Sequence, residues 1–240
     1  QHPALLKRLS RGLDADKVDA GATRDLLATL RSESYESAAA KVVEVLNRGV
    51  APQSVWDAIF CGAGELLLRQ PGIVALHAVT TTNAMHYAFQ ASGDLETRKL
   101  LLLQNASFLP MFREAMRGRG SVAEAAIETL EPAEVSATGP AAAAEVLAAV
   151  SRDRRTAARQ TLAYFAAGGD AEPLLDAARR AMVLKGNDAH DFKFGAAVLE
   201  DTAAVSPVWR GRFLAASMLQ LNGSGEPDSP TVNRTRAALG

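Results

Sequence analysis

Ala189-His190-Asp191-Phe192-Lys193-Phe194-Gly195-Ala196-Ala197-Val198-Leu199-Glu200 is the stretch on which the reading of this chain turns. It has no β-type alternation, and as a helix it sets His190 and Lys193 three residues apart on one face, with Ala197 and Glu200 continuing the stripe. An imidazole and an amine are thereby paired on an otherwise apolar helix. Upstream, Ala75-Leu76-His77-Ala78-Val79-Thr80 opens a second apolar helix with a histidine. Each follows a comparable helix-turn-helix run, so His77 and His190 read as equivalent positions of a duplicated fold.

The segments around these two helices repeat in order. Ala123–Leu130 parallels an opening helix with Leu5, Leu6, Leu9 and Leu13, and Ala142–Val150 parallels the helix at Leu26. Ala157–Ala167, ending in Gly168-Gly169-Asp170, parallels Ala39–Leu46, ending in Asn47-Arg48-Gly49, a glycine stop. Pro173–Ala177 parallels Ser54–Ala58, and Pro207–Leu214 parallels Leu95–Leu101. Nearly every segment has helical periodicity, and hairpin turns between β-branched runs are lacking. The expectation is an all-α fold, a duplicated helical-repeat array whose two similar halves, about 1–120 and 121–221, pack around a shared seam as a single domain. Residues 222–240 begin rich in Gly, Ser, Pro and acid and read as a linker-like tail.

Composition narrows the function classes. Lys and Arg total 26 against 27 Asp and Glu, interspersed rather than clustered, which argues against nucleic acid as a partner. Apolar runs are interrupted by Arg69, Gln70 and Pro71 or by Arg98, Lys99 and Gln104, so no membrane span is expected. The one cysteine, Cys61, leaves no intrachain disulfide and no cysteine-based metal site, and a reducing cytoplasm is the expected compartment. Gly62-Ala63-Gly64 lies within a helix and lacks the strand and third glycine of a phosphate loop.

The four histidines carry most of the remaining chemistry. One histidine on an apolar helix is ordinarily a core residue bonded to a carbonyl. Two at equivalent positions of a duplicated unit would instead face a shared seam, where oxygen and nitrogen donors can hold a metal in a helical bundle. Thr80 and Thr81 share the side of His77, whereas His86, nine residues on, points about half a turn away, as for a histidine on an outer face or in a helix-end hydrogen bond. Lys193 is either a lysine reaching to water or a buried amine, and a buried amine is neutral enough to act as a base or to take up carbon dioxide as a carbamate, an oxygen ligand.

The segments LHAVTTTNAM, Leu76–Met85, and HDFKFGAAVLE, His190–Glu200, resemble the two late motifs of the questin oxidase-like proteins, a histidine-valine-threonine helix and a histidine-x-x-lysine helix. His2-Pro3-Ala4-Leu5-Leu6 is similar to that family's early histidine helix. The resemblance implies an all-helical fold, a mononuclear non-haem iron (Fe2+) held by histidines and a carboxylated lysine, and oxidation of aromatic polyketides such as anthraquinones. It marks His2, His77, His190 and Lys193 as metal ligands. A further family helix bears a histidine and ends in glycine and glutamate. Its nearest match here is Ile59–Glu65, with Phe60 or Trp56 in the histidine slot, so His86 or Glu65 takes the missing ligand's place or the site is altered.

Two functions follow as expectations. One is a metal-dependent oxidoreductase, a monooxygenase of an aromatic or polyketide-type small molecule, in which Thr80 or Thr81 orients a ligand and an electron-donor domain or protein assists. The other is a non-catalytic helical-repeat binding or scaffold domain, tethered by its tail to a redox module.

Overall fold

The computed structural model describes residues 2–240, and among them the fold is all-α, with twelve α-helices, one 3₁₀ turn and no strand. None of these helices is long and apolar enough to cross a membrane. The chain divides into two compact units, Gln1–Glu124 and Ala125–Gly240.

The first unit contains α1 (His2–Arg8), α2 (Ala20–Ser32), α3 (Tyr35–Asn47), α4 (Pro52–Arg69), α5 (Ile73–Ala91) and α6 (Leu95–Arg117). Local chemistry sets these limits. Asp19 caps α2 by accepting from the N–H groups of Gly21 and Ala22, Ser34 caps α3 and Asp94 caps α6. Pro52 opens α4, and Gly49, at φ +80°, turns the chain out of α3. α2 packs on α3 and α4, α4 on α5, and α6 on both α3 and α5. Between Pro52 and Leu68 every residue of α4 except Gln53 is buried, so this helix is the core. At Gly62 a Cβ would stand 3.0 Å from Leu109 Cδ1 and 3.2 Å from Leu30 Cδ1, which is the close helix approach that the small face of α4 permits.

The second unit contains the 3₁₀ turn Ile127–Thr129, α7 (Gly139–Val150), α8 (Arg154–Ala166), α9 (Ala171–Lys185), α10 (Ala189–Ala204), α11 (Pro207–Ser217) and α12 (Pro230–Leu239). α7 packs on α8 and α9, α9 on α10, and α11 on α8 and α10. The helix expected over Ala123–Leu130 is reduced to that 3₁₀ turn. Ala126 provides no capping side chain there, and buried Ile127 instead holds the segment, with its carbonyl accepting from Arg212 at 2.8 Å. Residues 222–240, read as a linker-like tail, carry α12 and are tied to their own unit. Ser224 N donates to Leu147 O at 3.0 Å, Ser229 N to Leu184 O at 2.8 Å, and Lys185 Nζ meets Asp228 Oδ1 at 2.6 Å.

Candidate functional site

Helix α5 is 19 residues long and contains no Asp, Glu, Lys or Arg. Its inner stripe is Ala75, Leu76, Val79, Thr82, His86 and Phe89, all buried. Its outer stripe runs Ile73, His77, Thr80, Thr81, Ala84 and Tyr87, with Ile73 37 % and Tyr87 69 % exposed, His77 and Ala84 exposed, and the two threonines half-buried. A helix face open to water is normally charged, and this one is not. Thr80 Oγ1 donates to its own helix at Leu76 O, 3.2 Å, so the hydroxyl presents its lone pairs outward as an acceptor.

Half a turn round, His86 is the buried histidine, neither on an outer face nor at a helix end. The inner stripe decides this, because nine residues separate His77 from His86 and only one of them can face the core. Its ring lies edge-on to Trp56 at 4.7 Å and to Phe60 at 5.0 Å, and is stacked 6.5 Å from Phe89. His86 of α5 therefore packs against two aromatic residues of α4, Trp56 and Phe60. Beside this cluster Thr82 donates to Asn105 Oδ1 at 3.3 Å, and Arg98 sits 4.3 Å over the Phe89 ring. Burial pushes the His86 pKa below the ordinary histidine value. Its protonated form is thus favoured in the unfolded chain, and stability is present above about pH 6.5 and lost as pH falls below that value through the lowered folded one. A fall in urea midpoint between pH 6.5 and 5 that is the same in His86→Phe as in the parent protein would refute this assignment.

Glu65 is buried in the first unit, where Arg31 Nε and Nη2 donate to its two oxygens at 2.8 and 2.7 Å. Both carboxylate oxygens are thus committed to a guanidinium. His2 is half-buried on α1, with Nε2 at 3.0 Å from Ser107 Oγ. Ser107 spends its single hydroxyl proton on Tyr35 O at 3.1 Å, so His2 Nε2 must be the donor, and a neutral His2 then carries its lone pair on Nδ1. An outer partner of this kind is how ligating histidines are usually oriented.

In the second unit, Asp188 caps α10 by accepting from the N–H groups of Asp191 and His190 at 3.1 and 2.7 Å, and these two hydrogen bonds hold its carboxyl below the usual range. His190 is exposed, with Nδ1 3.7 Å from Asp188 Oδ1, and Lys193 is exposed rather than buried. Counted from the helix start, His77 is the fifth residue of α5 and Lys193 the fifth of α10, while His190 is the second.

The residues marked for iron are therefore divided. His2 and His77 belong to 1–124 and His190 and Lys193 to 125–240, and among the described residues no three His, Cys, Asp or Glu side chains form a group that could hold a metal ion. Within either unit, the residues present do not make up the iron site that the family resemblance implies. Comparison with protein-family models, with curated proteins and with solved structures finds no match for this chain.

Proposed function

We propose that this protein is oxygenase-like and acts on an aromatic or polyketide-type small molecule, which lies against the outer face of α5. The observation that carries this reading is the uncharged, exposed stripe Ile73, His77, Thr80, Thr81, Ala84 and Tyr87. It offers a ring for stacking, acceptor hydroxyls and an imidazole, and a flat aromatic molecule with phenolic hydroxyls complements all three. Oxidation by a histidine-held iron is the part carried by the motif resemblance alone.

The duplicated helical array is part of the same proposal. Its support is that the helix pairs of the first unit (α2–α3, α2–α4, α4–α5, α5–α6, α3–α6) have counterparts in the second (α7–α8, α7–α9, α9–α10, α10–α11, α8–α11). Glycines at φ +80° and +82°, Gly49 and Gly168, follow α3 and α8. Two copies of one plan make α5 and α10 corresponding helices, each bearing candidate donors on its exposed side.

Metal analysis and ligand binding test the two parts separately. One equivalent of iron is expected, reduced in His77→Ala, His190→Ala and Lys193→Arg, the last of which cannot form a carbamate. Quenching of protein fluorescence by a hydroxyanthraquinone is expected in the parent protein and lost in Tyr87→Asp. Iron-free protein whose unfolding ignores a chelator overturns the metal part, and absence of quenching overturns the substrate part. If both fail, the same uncharged face supports the scaffold reading, with a partner helix as its occupant.

A further inference from the structure

In the second unit α7 and α9 leave an open cleft of about 710 Å³ between them. Leu147, Ala181 and Leu184 line its floor, and Glu172, Asp176 and Arg180 stand on its rim. Ser224 closes one end, so the segment after α11 already borders it. That segment is pinned at the same end, because Ser229 N bonds Leu184 O and Asp228 pairs with Lys185. From this anchor α12 departs without burying any of its residues, and Leu239 is 84 % exposed. Its position is kept by Asp228, which pairs with Arg236 and whose carbonyl accepts from Asn233 Nδ2 at 3.1 Å.

We propose that α12 is a strap that closes over the α7–α9 cleft of its own chain, pivoting about the fixed Asp228–Ser229 anchor. The lengths agree. α12 has 10 residues and is about 15 Å long, and the α9 edge of the cleft from Lys185 to Pro173 spans about 18 Å. Running antiparallel to α9 from the Ser229–Leu184 bond at equal rise per residue, α12 sets Val232 over Ala181, Arg236 beside Ala177, and Leu239 beside Pro173 at the far edge of the cleft. Val232 and Leu239 then share the inward stripe with Thr235. Arg236 exchanges Asp228 for Asp176, an acid now shared with Arg179 on the cleft rim, so one ion pair is traded for another. Closure covers Leu239 together with the lining residues that still have apolar surface open to water, Pro140, Ala144, Ala177 and Leu184, which gives the motion its driving force. Access to the cleft is thereby controlled by the chain itself. This inference is independent of the iron and α5 readings.

Thr235→Cys and Ala177→Cys, introduced together, test it. In the closed strap their Cα atoms come within the roughly 7 Å that a disulfide needs. Cys61 is buried and stays in place. The expected result on mild oxidation is a faster-migrating monomer band on a non-reducing gel, reversed by reductant and absent from both single variants. Ala144→Arg, at an exposed position of the cleft lining, should reduce that band. Covalent dimers alone, no cross-link in a protein of normal helical content, or a band insensitive to Ala144→Arg would each overturn the strap.

Discussion

Trp56→Ala is expected to lower the unfolding free energy of the first unit by about 4 kcal/mol, the largest loss anticipated for a single side chain in this protein. The indole is 2 % exposed and lies 5.8 Å from the Phe60 ring, 4.7 Å from His86 and 5.2 Å from Phe89. Truncation leaves three rings around a void they cannot fill, because all are fixed on α4 and α5 helices that pack on other elements. Trp56→Phe should cost much less, about 1.5 kcal/mol, since it retains an aromatic face. It gives up no hydrogen bond, because Trp56 Nε1 is buried with no partner. Urea unfolding followed by far-UV circular dichroism measures both, and near-equal losses for Ala and Phe would show that ring packing is not what Trp56 contributes.

Arg31→Ala is expected to cost about 3 kcal/mol, because it strands the Glu65 carboxylate inside the first unit. The Glu65 side chain is 3 % exposed and that of Arg31 is 25 %, which places the loss at the lower end of the range for breaking a buried pair. The double change Arg31→Met, Glu65→Leu should recover most of it, since neither charge then needs a partner. A double variant no more stable than Arg31→Ala would mean that the loss comes from the packing of the arginine stem. Because Arg31 takes both oxygens, Glu65 is an ion-pair partner in this fold and not a metal donor.

Much of the fold was legible because its signals are local. Asn47-Arg48-Gly49 and Pro52 mark a helix end and a helix start that the structure places at Asn47 and Pro52. The small face of α4 at Gly62 is likewise readable, and it becomes a close approach to Leu30 and Leu109. The helix expected at Ala123–Leu130 was not readable. Its apolar spacing is helical, but the competing interactions are an arginine on α11 and a buried isoleucine, both distant in sequence from any cap. For the site, periodicity correctly put His77 and His86 on opposite sides of one helix. It could not say which side was the core, because Ile73–Ala91 lacks charges on either side. That lack of charge was itself visible and is the signal that marks the α5 face. The exposure of Lys193 was hidden for a similar reason, since Phe192 and Phe194 flank it on α10 and only Phe194 is buried.

The return of the chain to the end of α4 sets where this protein can be cut. Gly118-Arg119-Gly120 looks like a natural seam, yet the backbone beyond it still belongs to the first unit. Ala123 N donates to Arg69 O at 2.9 Å, Arg69 Nε donates to Ala123 O at 3.2 Å, and Gln70 Nε2 donates to Ser121 O at 3.0 Å. A fragment stopped at the glycines would expose the last carbonyls of α4 and free Arg69, which also holds the end of α2 through Arg31 O at 3.3 Å. Dissecting the chain into halves for expression, crystallisation or gene fusion therefore calls for a junction after Glu124, with those few residues kept as a clasp.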